Sequence, residues 1–524
     1  MMRRQVVGWV FAMWVVHTAA VAHAAELRVG PGATFTEIDA ALRMAEDGDI
    51  VIIAAGTYEE AITTRAAGVT LRGEGAVTLT APGRVVDVAH DRFTIENLIV
   101  DGQLAEGRTV RVRANGFTLR NSEVRRAGGN CIDLGEVDDV TISDSVIHHC
   151  LLSRRNNCQD IDCHRDAHGI VGGAVQGLDV RNTEIHTFSG DAIQVDSDWR
   201  DSGRGWDDVH IEGCTFWMAP LAEAIGGYAA GINPSENAID TKTQPRFGAD
   251  ATMTIVDTVA YGFRSDIINN ASAFNLKQDV TFLLDRVTVY DTEIAFRVRG
   301  AGGDHREGAR ATIRNTVVYD VDTAVRYEDA LAELTLQHVT FGNDVGREFQ
   351  DSSSVGPDSI RSANVLLLGD SLPTELRGGP GNLAVAADAF LMASEDDYRL
   401  QATGAPVDTA VDVGVTVDRL GVTRPQGAAA DVGAYEQCED CDPQDPGGTD
   451  GGADASAPRP DGGVSMPDGG VADAGVRDGA ADASSEAEDP SGCQTGSGDP
   501  ALALLLGLVL LFRRAQPRSK ARAR

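Results

Sequence analysis

Residues 236–242 read ENAIDTK and carry Glu236, Asp240 and Lys242. In a β-strand, residues two apart share a face, so a carboxylate at Asp240 and an ammonium at Lys242 point the same way. Alone, such a pair is an ordinary feature of an exposed strand. Its neighbours change the reading. GNCIDLG (129–135), AHGIVGG (167–173), GDAIQVD (190–196), ASAFNLK (271–277), EIAFRVR (293–299) and DTAVRYE (322–328) align with it without gaps. Each copy has a small residue (Cys131, Gly169, Ala192, Ala238, Ala273, Ala295, Ala324) followed by an apolar one (Ile132, Ile170, Ile193, Ile239, Phe274, Phe296, Val325). Parallel strands stack about 4.8 Å apart, so the apolar set should form a ladder inside the fold.

The residues one and three positions after each apolar residue should then face outward together. In rung order they are Asp133 and Gly135, Val171 and Gly173, Gln194 and Asp196, Asp240 and Lys242, Asn275 and Lys277, Arg297 and Arg299, Arg326 and Glu328. Lys242 sits where the face turns from acidic (Asp133, Asp196, Asp240) to basic (Lys242, Lys277, Arg297, Arg299, Arg326). Crowded cations repel unless an anion normally occupies the site, so the column predicts a polyanion-binding face. The competing reading is an exposed sheet with incidental charges. Asp133, Gln194, Asn275 and Arg326 are the expected substrate contacts. Trp199 and Trp206, in DSDWRDSGRGWDD, would stack on sugar rings or pack within their loop. The loop 217–235 is long enough to overhang the same face.

Carboxylates beside a lysine and several arginines suit cleavage of a uronic-acid polymer by β-elimination. The proton beside the sugar carboxylate must be acidified, a base must remove it, and the leaving oxygen must be protonated. A hard cation such as Ca²⁺ can neutralise the substrate carboxylate. A lysine among arginines has its pKa lowered by like charge, and an arginine can stabilise the developing enolate.

The positioning elements are themselves repeated. FTIENLIV (93–100), FTLRNSEV (117–124), VTISDSVI (140–147), LDVRNTEI (178–185), VHIEGCTF (209–216), MTIVDTVA (253–260), ATIRNTVV (311–318) and LTLQHVTF (334–341) share one pattern, with FLLDRVTV (282–289) a looser copy. Each is a short alternating strand, a corner at Asn97, Asn121, Asp144, Asn182, Gly213, Asp257, Asn315 or His338, and a second strand. Repetition of short strands means a solenoid, and units of this length suit three strands per turn. The stretch VGPGATFTEIDAALRMAEDGDIVIIAAGTYEEAI predicts a helix over about 35–46 and a strand at 50–53, the helix covering the open end of the core.

This N-terminal stretch resembles the cap of pectate-lyase-like right-handed β-helix proteins, and ADVGAYE (430–436) resembles the way such chains close. The resemblance spans about residues 27–436 and implies an all-β, right-handed parallel β-helix of three-strand coils. ENAIDTK followed two rungs later by FRVRG (296–300) resembles the lysine-then-arginine arrangement of the chondroitinase B and alginate lyase group. It is similar in outline to pectate lyases that use a lysine base. The resemblance implies Lys242 as base, with Lys277 in reserve, and Arg297 or Arg299 on the carboxylate or the leaving oxygen. It also implies Ca²⁺ at Glu236, Asp240 and Asp196, with Asp191 and Asp198 further candidates. The family's Glu-x-Glu calcium pair is not matched, since position 238 is alanine.

Two other functions use the same parts. A polygalacturonase-like hydrolase or an epimerase would draw on Asp191, Asp196, Asp198 and Asp240, but paired acids leave the lysines unexplained. A non-catalytic glycan-binding or adhesive surface protein would use the same basic face. A purely structural solenoid is the remaining reading.

The ends concern export. Residues 1–25, with two arginines, an apolar run and Ala22-His23-Ala24, read as a secretory signal peptide. Of eight cysteines, Cys131, Cys150, Cys158 and Cys163 cluster, Cys214 stands apart, and Cys438 and Cys441 close the β-helix region 26–437. In an oxidising compartment Cys131, Cys150, Cys158, Cys163, Cys438 and Cys441 are disulfide candidates. His148, His149, His164 and His168 lie in the same stretch and make a metal site conceivable, at spacings that match no familiar zinc pattern. Residues 438–492 are dominated by Gly, Ala, Asp, Pro and Ser and predict a disordered linker. This acidic linker contributes a substantial share of the net charge of −34, and the overall acidity argues against nucleic-acid binding. In 493–524, Cys493, the apolar run 501–512 and the arginine-rich end resemble the myxobacterial C-terminal sorting signal, MYXO-CTERM. That resemblance implies an envelope anchor processed at Cys493. The expected partners are an acidic polysaccharide and the envelope membrane, with the protein a monomer.

Overall fold

The computed structural model describes residues 24–196, 204–242, 251–300, 308–329, 331–353 and 356–438. Trp199, Asp198, Cys441 and Cys493 lie outside them, as do residues 1–23 of the leader, 439–492 of the linker and the C-terminal segment. The described residues all fall in the unit Met1–Thr449.

Alternating apolar residues need a partner strand on each side and a core on one face. Winding the chain supplies both. Among the described residues most strands form one 24-stranded and one 11-stranded sheet, in which every pairing is parallel, and two small antiparallel pairs lie outside them. Each full coil gives two strands to the larger sheet and one to the smaller, so three strands make a turn. The result is a right-handed parallel β-helix. Its core rows run in register: Ile142, Val180, Ile211, Ile255, Leu284, Ile313 and Leu336 pair in succession and are buried.

The corners have a conformational cause. Asn97, Asn121, Asp144, Asn182, Gly213, Asp257, Asn315 and His338 all have φ between +46° and +65°. This left-handed region is the one that Asn, Asp and Gly tolerate best. Neighbouring corners also bond to each other, as Asn121 Nδ2 does to Asn97 Oδ1 at 2.6 Å. The looser copy 282–289 is in full register, with Arg286 (φ +56°) at the corner and its guanidinium on Asp257, 2.7 Å away.

At the N-terminal end the helix Ile38–Leu42 buries Ile38, Ala41 and Leu42, and Glu60 accepts the N–H groups of Ile38 and Asp39. It is shorter than expected, because the chain leaves the helix after Leu42 and turns at 46–49 into the strand Ile50–Glu59. At the other end Val432 and Ala434 are buried, and Arg424 pairs with Glu436 at 2.9 Å in a fully buried contact. Among the described residues no helix is long and apolar enough to cross a membrane.

On the larger sheet, after the corners, His148, His186, Trp217, Tyr261, Tyr290 and Tyr319 occupy successive coils. Ring centroids are 4.8 Å apart for His148–His186, 4.3 Å for His186–Trp217 and 5.1 Å for Tyr290–Tyr319. These distances approximate the rung spacing, so the rings form a stack along the axis.

Candidate functional site

The expected column exists. In the 11-stranded sheet Ile132, Ile170, Ile193, Ile239, Phe274, Phe296 and Val325 are paired rung by rung and buried. One position later Asp133, Val171, Gln194, Asp240, Asn275, Arg297 and Arg326 form the next row. This row is less open than its sequence implies: Gln194, Asp240 and Asn275 are all buried.

The charges within it are organised in two groups. Lys277 Nζ lies 2.7 Å from Asp240 Oδ1, and Lys242 Nζ lies 3.6 Å from Asp240 Oδ2. Asn275 Nδ2 also donates to Asp240 Oδ1, at 3.0 Å. Burial works against the Asp240 anion, but the two ammoniums outweigh it and hold its carboxyl below the usual range. In the second group Arg297, Arg299 and Arg326 converge on Glu328 at 2.8, 2.7 and 3.0 Å. The cation crowding is therefore answered in part from within the chain, by Asp240 and Glu328. The sequence pattern showed the arginines but not their convergence on one carboxylate.

Lys242 also donates to Gln194 Oε1, and Gln194 Nε2 is 2.8 Å from His168 Nε2. The imidazole of His168 lies between Gln194 and Asp191: Asp191 N–H donates to Nδ1 at 2.9 Å, and Asp191 Oδ2 is 3.4 Å from the same nitrogen. A polar chain, buried except at its half-buried lysines, thus runs Asp191, His168, Gln194, Lys242, Asp240, Lys277.

The other expected residues are placed as follows. Asp133 pairs with Arg108 Nε at 2.8 Å, further along the solenoid. Asp196 ends its strand opposite Gly173. Asp191 Oδ1 accepts from Asn237 N and Nδ2, and so serves the strand ladder. Trp206 is 3% exposed and cannot offer its ring to a sugar. It packs in the core because the strand Asp207–Glu212 follows immediately, and its Nε1 donates to Lys242 O at 2.7 Å, fixing the backbone under the lysine. The expected calcium residues Glu236, Asp240 and Asp191 are not brought to one point. Asp240 faces two ammoniums, Asp191 serves Asn237, and Glu236 belongs to a different cluster.

That cluster was not read from the sequence as a unit. His164 Nε2 is 3.5 Å from both Asp166 Oδ1 and Glu236 Oε1. His164 sits on the small hairpin of Leu152–Ser153 and His164–Arg165, which encloses the Cys158–Cys163 disulfide. A satellite core of Leu151, Cys158, Cys163, Leu221 and Tyr228 joins this hairpin to the loop before Glu236. Burial works against the His164 cation, but the contacts with Asp166 and Glu236 outweigh it and lift the imidazole to about 9. Burial, aided by the Asp191 and Asp166 charges, pushes Glu236 up to about 7, against the contact with His164. The signal available in sequence was His164 and Asp166 in the cysteine-rich stretch, but nothing there announced their contact with Glu236.

The cysteine expectation resolves into Cys131–Cys150 and Cys158–Cys163, and Cys438 is also disulfide-bonded. Cys214 is a free thiol, buried and pushed up to about 12.

No protein-family model matches this chain, and no curated protein matches it. Solved structures do. Pectate lyase Pel9A has 14% identity and a TM-score of 0.41, over 79% of this chain and 98% of that one. The mannuronan C-5 epimerase AlgE6 A-module of Azotobacter vinelandii has 12% identity and a TM-score of 0.45, over 64% and 96%. A polygalacturonase from Erwinia carotovora has 12% identity and a TM-score of 0.40, over 70% and 96%. At these identities the likeness is one of fold.

Proposed function

We propose that the protein is a polysaccharide lyase that cleaves a uronic-acid polymer by β-elimination, with Lys242 as base. The observation that carries this reading is the joint placement of Lys242 and Lys277 on Asp240, in a column that continues to Arg297, Arg299 and Arg326. Asp240 keeps the two nitrogens side by side, and the lysine that sheds its proton becomes the base. Arg297 and Arg299 bind the sugar carboxylate or protonate the leaving oxygen, and exchange Glu328 for substrate as they do so.

The Gln194 amide supports Lys242 over Lys277. With its Nε2 on His168, it presents oxygen to a charged Lys242. Turned by 180°, it accepts from a His168 Nε2–H and donates to a neutral Lys242 amine. The Asp191 N–H on His168 Nδ1 makes that nitrogen an acceptor, which places the imidazole proton on Nε2 and suits the turned amide.

The test is incubation with a panel of polyuronates, following ultraviolet absorbance of unsaturated product. A rise that Lys242→Ala abolishes and Lys277→Ala only weakens is expected. A second reading, a non-catalytic glycan-binding surface protein, draws on the capture of three arginines by Glu328. No rise on any polymer, with binding to one retained, would establish it instead. Of the carboxyls a hydrolase would draw on, Asp191 and Asp240 are both engaged, which weighs against those two as its free pair.

We also propose export and anchoring at the cell envelope, through the leader 1–25 and the segment 493–524. Membrane fractionation of cells producing the chain with and without 493–524 tests this. Loss of envelope association on truncation is expected.

A further inference from the structure

The hydroxyl of Tyr228 fixes which ring nitrogen of His164 is turned to the carboxylates. Tyr228 Oη donates its single proton to Leu152 O at 2.6 Å. Its 3.0 Å contact with His164 Nδ1 must then run the other way, with Nδ1–H donating. In the neutral ring the lone pair is therefore on Nε2. That atom is buried, has no hydrogen-bond partner, and belongs to a residue only 4% exposed. It faces one oxygen each of Asp166 and Glu236, both at 3.5 Å. That is long for a hydrogen bond, so a proton on Nε2 meets the two carboxylates only loosely, and the three atoms converge on a space between them. A metal cation there would take the place of that proton and satisfy all three atoms.

The spacing says which kind of cation. Zinc–ligand bonds of 2.0–2.1 Å in a tetrahedron place neighbouring ligand atoms about 3.4 Å apart. The two observed edges are 3.5 Å, and all three ligand atoms lie within 4.8 Å of one another. An imidazole ligand disfavours Ca²⁺ and Mg²⁺, which take oxygen, and suits a borderline metal. The outer contacts also match, since metal-bound histidines donate their other N–H to a fixed acceptor, here Tyr228.

We propose that His164, Asp166 and Glu236 form a binding site for a borderline divalent transition metal, Zn²⁺ in the first instance. The site is held by the Cys158–Cys163 hairpin and by Tyr228, from a separate loop. Three protein ligands leave a coordination position for water or for a carboxylate of a bound polymer. The site stands on its own geometry and does not depend on the proposed reaction.

The experiment uses the full chain, stripped with chelator and titrated separately with Zn²⁺, Mn²⁺ and Ca²⁺ by calorimetry, with bound metal measured by mass spectrometry. One equivalent of Zn²⁺, removable by chelator, is expected. His164→Gln and Glu236→Gln should weaken it at least 100-fold, and Tyr228→Phe about 10- to 100-fold. Far-UV circular dichroism establishes that each variant is folded. His149→Ala serves as control, because His148, His149 and His186 form a second histidine group on the aromatic stack. The proposal is overturned if the wild type binds no Zn²⁺, if His149→Ala rather than His164→Gln removes it, or if Ca²⁺ binds in preference. Metal content is read without any substrate, so failure of lyase activity and failure of the metal site are separate results.

Discussion

Lys277 Nζ lies 2.7 Å from Asp240 Oδ1, on the neighbouring rung of the coil, and Lys242 reaches the same carboxylate from its own strand. One buried anion thus holds two cations together. Asp240→Ala leaves both ammoniums without it in a largely enclosed place. Breaking a buried pair in this way costs about 3–5 kcal/mol, which urea denaturation would register as a lower midpoint with an unchanged slope. Asp240→Asn, which keeps the shape and an acceptor oxygen, should lose less. Equal stability in wild type and Asp240→Ala would remove Asp240 from its central position.

Gln194→Glu places a second anion, in addition to Asp240, against Lys242. A carboxylate stabilises the ammonium and raises the lysine pKa. Because the base must be neutral, the rising limb of the lyase pH profile should move to higher pH, with less change in substrate binding. A limb that stays in place would mean that Lys242 is not the titrating base.

Acid should loosen the aromatic stack. His149 is held down at about 4 by burial and by His148, and His186 at about 3 by burial first. Glu123 is held at about 2, chiefly by its contact with His148. All three folded values lie below the ordinary ones, so the folded chain binds fewer protons than the unfolded chain, and stability falls as pH falls. The histidine contribution is lost from about 6.5 downward and the Glu123 contribution from about 4.5 toward 2. His186→Phe keeps a ring in the stack without a titrating nitrogen, and its urea midpoint should fall less steeply below pH 6.

The disulfide joins Cys131, just before the smaller-sheet strand Ile132–Leu134, to Cys150 at the end of the later larger-sheet strand Val146–Cys150, 19 residues on. Replacing both with alanine should cost about 3 kcal/mol through the freed loop of the unfolded chain, seen as a lower Tm. Cys158–Cys163 closes only five residues, so its loss should alter Zn²⁺ affinity more than global stability.

The winding could be read from the sequence because it is local and repeated. The αL corners at Asn97, Asn121, Asp144 and Asn182 and the alternating apolar residues announce themselves within eight-residue windows, and the gapless ladder from Ile132 to Val325 set the register. Partnerships across coils could not be read in this way. Glu328 as the meeting point of three arginines, Trp206 turned inward under Lys242, and Glu236 facing His164 are all set by which loop overlies which rung. Only the fold decides that. The aromatic stack was available in principle, as one ring per coil at a constant offset after each corner, but charge dominated the reading of the alternate positions.

The closing segment has a mechanical consequence. Arg424 binds Asp431 O, Gly433 O and Glu436, while Gly433 N and Ala434 N are fastened to Asn364 O and Thr340 Oγ1 on two different coils. A pull entering at residue 438 meets this knot before it can reach any strand. Once the knot fails, the parallel rungs offer resistance only one coil at a time, so tension would unspool the solenoid from that end in steps. Were the chain held from beyond residue 438, Arg424 and Glu436 would set the force at which unwinding begins.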